Sequence, residues 1–270
     1  MRDSVKELNI KVNGLNVSYI DEGKKDAPAI IFVHGFPFNK WMWEKQIETF
    51  KKDFRVIAYD IRGFGGSEKG NVHFSVQLFG FDLIGLMDAL HIEKAVLCGL
   101  SMGGYIAFSV MENFQHRFSK LVLCDTKCGG DDAEAKEKRM ETIDLIKQNG
   151  KTEYAEESLW KLFSQSSFVS NPAAIEQVRE MILATPDEVL FQTLLALAER
   201  HDNCSLLSTT NLPVLIIVGE DDKLTPPEIA RQMDEKIPDS DLFVIENAGH
   251  LSPLEQPDEF NRLLKPFLRD

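Results

Sequence analysis

Long apolar runs are missing from this 270-residue chain. Nowhere do about eighteen apolar residues follow one another, as a transmembrane helix requires, and the polar opening from Met1 to Glu7 lacks a signal-peptide core. The expectation is a soluble, cytoplasmic protein without a membrane partner. Basic residues are scarce too: 30 Lys and Arg stand against 43 Asp and Glu, a net charge of −13, and no Lys/Arg run occurs. Phosphate backbones bind basic surfaces, so nucleic acid is excluded as a partner. The four cysteines, Cys98, Cys124, Cys128 and Cys204, form no close CxxC pair, and a chain this long folds without disulfide staples. Reduced thiols are expected. No Walker A pattern occurs, and the six histidines form neither a His-x-x-x-His pair nor a Cys/His cluster at metal spacing. Neither a metal nor a cofactor is implied.

What is present is a composition that folds, 43% hydrophobic and 27% charged, in a length suited to one large α/β domain or one domain carrying an insertion. Residues 8–20 alternate with period two on both sides of Asn13-Gly14, which predicts an antiparallel hairpin. Four short apolar runs follow, Ala29 to Val33, Arg55 to Tyr59, Ala95 to Cys98 and Leu121 to Cys124, spaced by helix-compatible stretches: Asn39 to Phe50, Ser75 to His91 with Ser75 as N-cap, and Met102 to Phe114. That rhythm predicts a mostly parallel sheet with right-handed crossovers. From Asp125 to about Thr210 it stops, and amphipathic stripes replace it: Met140, Ile143 and Ile146; Ala155, Leu159, Leu162 and Phe163; Ile175, Val178 and Ile182. The charged stretch Asp131 to Glu141 reads as a solvated helix face. Strand runs return at Pro213 to Val218 and Asp241 to Ile245, with helices at Pro227 to Ile237 and Glu255 to Leu268, so a helical insertion interrupts one sheet. The division is 1–125 with 211–270 as core and 126–210 as a helical cap.

Chemistry concentrates in Gly99-Leu100-Ser101-Met102-Gly103, a Gly-x-Ser-x-Gly set between a strand and an apolar helix. In that context the pattern is a nucleophile elbow: a strained turn lifts the serine hydroxyl above the sheet, and the glycines keep side chains out of the bend. A serine needs a base and the base an orienting acid, in the order Ser, Asp or Glu, His. His250 follows the last apolar run, and Asp222 follows the strand ending at Val218-Gly219; Asp221, Glu220 and Asp125 compete for the acid role. Oxyanion donors are the amide of Met102 and an amide after the third strand, in His34-Gly35-Phe36-Pro37, where Phe36 is chosen because proline has no N–H. His34, directly after a strand, reads as a structural histidine. Gly63-Phe64-Gly65 fails as a dinucleotide loop, because Glu68 stands where the third glycine belongs; it reads as a tight loop beside the site.

Together, His34-Gly35-Phe36-Pro37, Asp60-Ile61-Arg62-Gly63-Phe64-Gly65, Gly99 to Gly104, Gly219-Glu220-Asp221-Asp222 and Gly249-His250 make the whole chain resemble the α/β-hydrolase-fold serine hydrolases. The resemblance implies an eight-stranded, mostly parallel sheet with a helical cap, and it supports Asp222 as the acid. Length, compact cap and the run Gly35-Phe36-Pro37 to Trp41-Met42-Trp43 look most like the 3-oxoadipate enol-lactonase and small carboxylesterase branch. Relatives that carry aspartate or cysteine at the elbow are excluded by Ser101. The function implied is cleavage of small carboxylic esters or lactones through an acyl-enzyme, with Ser101, His250 and Asp222 catalytic. Trp41, Trp43, Trp160, Phe163 and Phe168 are the expected pocket aromatics, and Arg139, Arg179 and Arg200 are the cations available to an anionic substrate. The alternatives are a lyase or carbon–carbon hydrolase on the same triad, and a hormone-type ligand receptor. The expected partner is a small molecule, and the expected assembly is a monomer or small homo-oligomer.

Overall fold

The computed structural model describes residues 5–269; residues 1–4 of the polar opening segment, together with Asp270, lie outside them. The chain begins with β1 (Leu8–Val12) and β2 (Leu15–Glu22), paired antiparallel about Asn13-Gly14, whose φ values are both positive as the two-residue turn requires. After β3 (Ala29–Val33), Asn39 caps a 3₁₀ turn at Lys40–Trp43 that leads into α1 (Glu44–Phe50). There follow β4 (Arg55–Tyr59), α2 (Val76–Ala89), β5 (Ala95–Leu100), α3 (Met102–Phe114) and β6 (Phe118–Cys124). Ser75 does cap α2, its hydroxyl accepting from the Leu78 amide at 3.0 Å. The eight-stranded sheet has the order β1-β2-β4-β3-β5-β6-β7-β8, where β7 is Val214–Gly219 and β8 is Ser240–Ile245; every pairing beyond β2 and β4 is parallel.

Burial on both faces explains the unbroken apolar runs. Ile31, Val33, Leu97, Leu121, Leu123 and Ile216 face one layer, while Ile30, Phe32, Val96, Cys98, Val122 and Leu215 face the other, the period-two alternation of a strand. Between β6 and β7 lie only helices, as expected: α4 (Ala133–Asn149), α5 (Lys151–Leu162), α6 (Ser167–Ser170), α7 (Pro172–Ala184) and α8 (Asp187–Ala198). One stripe needs correcting. Ile143 and Ile146 are buried against Leu190 and Leu194 of α8, but Met140 is 47% exposed. The core closes with α9 (Pro227–Asp234), α10 (Ser252–Glu255) and α11 (Pro257–Arg269). The helix expected over Glu255 to Leu268 is α11, which begins at Pro257 because the residue before a proline is pushed out of the helical region; Glu255 instead ends the separate short α10. Among the described residues no single helix is long and apolar enough to cross a membrane.

The thiols also depart from expectation. Cys98 and Cys124 are free and buried, but Cys128 and Cys204 form a disulfide that closes a loop of 76 residues across the two ends of the insertion. Pairing depends on the fold bringing these stems together, which spacing in the chain does not reveal. A reducing cytoplasm opens such bonds and oxidising surroundings keep them. In the chain-entropy picture a loop of this length stabilises the fold by about 4 kcal/mol. Guanidinium unfolding is therefore expected to shift to lower denaturant in Cys128→Ser, with two thiols titrating in the denatured wild type and four after reduction. Equal midpoints, or four thiols without reductant, contradict the bridge.

Candidate active site

The carboxyl ends of the parallel strands carry the candidate groups, at the edge where open α/β sheets place their sites. Ser101 lies between β5 and α3 with φ 52° and ψ −111°, a left-handed backbone that a side chain tolerates only under strain. The bend admits nothing larger than glycine beside it. A Cβ on Gly99 would sit 2.4 Å from the Gly103 carbonyl oxygen, and one on Gly103 would sit 2.3 Å from the Val33 carbonyl oxygen. This is the close approach that the Gly-x-Ser-x-Gly spacing exists to permit.

His250, only 3% exposed, reaches back over the sheet from the loop after β8. Its Nε2 is 2.8 Å from Ser101 Oγ, and its Nδ1 is 2.8 Å from Asp222 Oδ2. An ionised carboxylate only accepts, so Nδ1 carries the proton and Nε2 is free to accept the serine O–H. Burial pushes the imidazolium pKa down, but the charge of Asp222 and its hydrogen bond outweigh that, and the net direction is up. Asp222 is desolvated by burial, which favours the acid, yet His250 and the Thr225 donors hold its pKa below the ordinary carboxylate value. Its Oδ1 accepts from the amides of Leu224 and Thr225, and its Oδ2 accepts also from the Thr225 hydroxyl at 2.7 Å. Thr225 was missed in the sequence, although an aspartate three residues before a threonine and ahead of Pro226-Pro227 is a local turn signal.

The rival acids are placed elsewhere. Glu220 and Asp221 are exposed. Asp125 is buried but its oxygens are engaged elsewhere; it accepts from the Gly219 amide at 2.8 Å and from the Ser252 hydroxyl at 2.6 Å, tying the acid-bearing and histidine-bearing loops together. Burial, with Asp222 nearby, pushes its carboxyl up to about 7. His34 is fully buried and neutral, with Nδ1–H donating to the Gly35 carbonyl and Nε2 accepting from the Ile61 amide; burial takes its pKa down to about 4. The glycine-rich loop folds around buried Asp60, whose carboxylate would lie 2.2 Å from a Cβ on Gly65 and which forms a 2.6 Å ion pair with buried Lys40. Phe64 of that loop meets Phe36 edge to face at 6.2 Å.

Ser101, His250, Phe36 and Met102 line a cavity of about 390 Å³ roofed by the insertion. Met102 opens α3, and the first amides of a helix have no partner inside it. The expected aromatics are not in this cavity. Trp43 lies in the core, 4.8 Å from Phe32 and 6.2 Å from Phe260, while the Trp41 indole N–H donates to Glu7. Trp160 is 59% exposed and stacked on Phe168 at 4.1 Å, and Phe163 is buried behind them. The reason is helical phase: Tyr154, Ser158, Lys161 and Leu162 of α5 share the face that lines the cavity, and Trp160 points off it. The apolar lining is instead Phe36, Tyr105, Tyr154, Leu162, Leu194 and Leu197.

The charged stretch expected as a solvated face is largely exposed, but Lys138 and Arg139 of it also reach the cavity wall, where they join Lys127, Lys161 and Lys223 with Asp131 as the one carboxylate of the lining. Asp131 is shared by Arg139, by Arg200 at 2.6 Å and by Lys127 at 3.8 Å. Burial and the charge of Arg200 pull the Lys127 pKa down. Arg200 also stands 4.2 Å over the Tyr105 ring, whereas Arg179 is taken up by Glu156 and Glu176 and does not line the cavity.

A family model described as the alpha/beta hydrolase fold matches residues 28–257. The chain belongs to that family. Within the α/β-hydrolases it is 30% identical to 3-oxoadipate enol-lactonase 2 of Acinetobacter baylyi over 253 residues, which covers 94% of this chain and 93% of that protein. Among solved structures it is similar to a thermophilic esterase from Thermogutta terrifontis, determined with malate bound, at a TM-score of 0.92 and 36% identity over 98% of both chains. The enol-lactonase from Burkholderia xenovorans LB400 superposes at a TM-score of 0.90 with 26% identity, covering 97% of this chain and all of that one. These relatives place the α/β-hydrolase described here in the enol-lactonase and small-esterase branch that its sequence resembles.

Proposed function

We propose that this α/β-hydrolase cleaves small carboxylic esters or lactones that carry a second, anionic group, through an acyl-enzyme on Ser101. The observation that carries the reading is the hydrogen-bonded relay from Ser101 through His250 to Asp222 at the floor of a cation-lined cavity. In the proposed cycle Ser101 Oγ attacks the carbonyl carbon as its proton passes to His250 Nε2. The amides of Phe36 and Met102 donate to the oxyanion; each such donor contributes roughly 100- to 1000-fold in rate. When the ester C–O bond breaks, the imidazolium returns its proton to the leaving alkoxide. Water, deprotonated by the same imidazole, then attacks the acyl carbon and frees Ser101. Residues 126–210 serve as the cap, closing the cavity over the nucleophile.

The anionic group follows from the wall. Three cations share Asp131, so positive charge is left uncompensated beside the apolar lining; burial first, and then the charge of Arg200, depress the Lys127 pKa there. The effect is local, because a net charge of −13 repels anions at long range. The names of the lactonase and esterase relatives support ester and lactone cleavage.

Steady-state hydrolysis of mono-p-nitrophenyl succinate against p-nitrophenyl butyrate tests the substrate class at equal acyl length. The anionic ester is expected to have the lower KM, and Arg139→Gln is expected to shrink the preference severalfold, as the loss of one partly exposed ion pair would. Equal KM values, or a preference untouched in Arg139→Gln, overturn the anionic reading. A burst without turnover on either ester overturns the hydrolase.

A further inference from the structure

Glu255 is a second buried carboxylate that the proposed cycle does not use. It closes α10 and is only 5% exposed, yet among the described residues no lysine or arginine forms an ion pair with it. Instead it accepts four donors from two separate parts of the chain. Oε1 receives the amides of Gly249 at 2.8 Å and Leu251 at 3.3 Å, the residues on either side of His250. Oε2 receives the Ser164 amide at 2.8 Å, from the turn after α5, and the Ser167 hydroxyl at 2.6 Å, from the start of α6, both in the insertion.

The contact is wider than one side chain. The His250 amide donates to the Leu162 carbonyl at 2.7 Å, and the Ser164 hydroxyl donates to the Asn247 carbonyl at 3.1 Å. A Cβ on Gly249 would lie 2.7 Å from both the Leu162 carbonyl oxygen and the Ser164 nitrogen, so glycine is what lets the two backbones meet. The Asn171 amide group donates to Leu254 at 3.1 Å. The histidine loop is therefore laid along residues 162–171 of the insertion, with Glu255 bonding to both.

We propose that Glu255 is a positioning residue that locks the loop carrying His250 to the helical insertion, so that the insertion sets the base against Ser101 as well as enclosing the cavity. The proposal rests on the reading of His250 as the base. A carboxylate suits this place because two oxygens can each accept a pair of donors, which glutamine cannot do: one pair of N–H or O–H groups would face its NH₂. Burial pushes the Glu255 pKa up and outweighs the four hydrogen bonds that pull it down. Asp222, Asp125 and Glu255 are the charged groups that raise the His250 pKa, so neutralising Glu255 removes one of three.

Glu255→Gln is expected to lower kcat about 10- to 100-fold with KM nearly unchanged, since a displaced base costs rate rather than binding. The acid limb of its pH–rate profile is expected at lower pH, and phosphonylation of Ser101 by a fluorophosphonate should slow in step with kcat. Ser167→Ala removes a single hydroxyl from Oε2 and serves if Glu255→Gln fails to fold; it should lose severalfold in kcat and in phosphonylation rate. A folded Glu255→Gln with wild-type kcat and pH profile, a loss confined to KM, or a Ser167→Ala that keeps its phosphonylation rate overturns the proposal. His250→Ala separates the two readings: if it stays active the base is misassigned, whereas if it is inactive while both other variants match the wild type, only the lock is wrong.

Discussion

Ser101→Ala is expected to lower kcat by roughly 10⁶-fold, and His250→Ala by about as much, with no further loss in the double variant. The losses do not multiply because the two groups act as one: without the imidazole the Ser101 hydroxyl is a weak nucleophile, and without the hydroxyl the imidazole has no proton to take. A residual rate above that in water is expected to survive in both, from the Phe36 and Met102 amides and from binding. Folding should be indifferent to the change. Alanine meets the same cost at φ 52° that Ser101 already bears, so the melting temperature is expected to stay close to the wild-type value while p-nitrophenyl ester turnover disappears. Retention of more than about a hundredth of the rate in Ser101→Ala would remove the nucleophile assignment.

Asp222→Asn is the second large effect, about 10⁴-fold in kcat. If the amide oxygen keeps the bonds to the Leu224 and Thr225 amides, its NH₂ faces His250 Nδ1. Nδ1 must then accept, the ring proton moves to Nε2, and Nε2 can no longer accept from Ser101. The pH dependence follows with a definite sign. Catalysis needs neutral His250, so the rate falls as pH drops through its pKa, which in the wild type is raised above the ordinary histidine value of about 6.5. Removing the Asp222 charge should move that acid limb to lower pH. Asp125 cannot substitute, because its oxygens are engaged by Gly219 and Ser252. A kcat/KM profile between pH 5 and 9 for both proteins checks this. An unshifted limb, or a loss below tenfold, would point to another acid.

Much of the site was legible because it is written locally. A strained bend between strand and helix needs glycine at 99 and 103, and no other residue fits within 2.4 Å of a backbone oxygen, so the bend that presents Ser101 announces itself by spacing. The strands were legible for a similar reason: burial on two faces leaves unbroken apolar runs, and β3 to β7 all show them. The choice among acids was weaker in the sequence. Asp125, Glu220, Asp221 and Asp222 all follow strands, and only the folded loop turns one of them to the imidazole.

The pocket was read wrongly for a physical reason. Aromatic residues near a motif say nothing about which side of a helix they occupy, and on α5 the two-residue step from Ser158 to Trp160 carries the indole off the face that lines the cavity. A charged stretch likewise has two faces, and α4 gives one to water and the other, with Lys138 and Arg139, to the cavity. The amino-acid order alone, through spacing, alternation and the special needs of glycine, was enough for the architecture and for the strained bend that carries Ser101. The lining of the cavity, the Cys128–Cys204 bridge across 76 positions and the Ser164–Glu255 contact across 91 join distant residues, and only packing in three dimensions chose those pairs. Local order cannot encode such choices, because each depends on where two distant segments come to rest against each other.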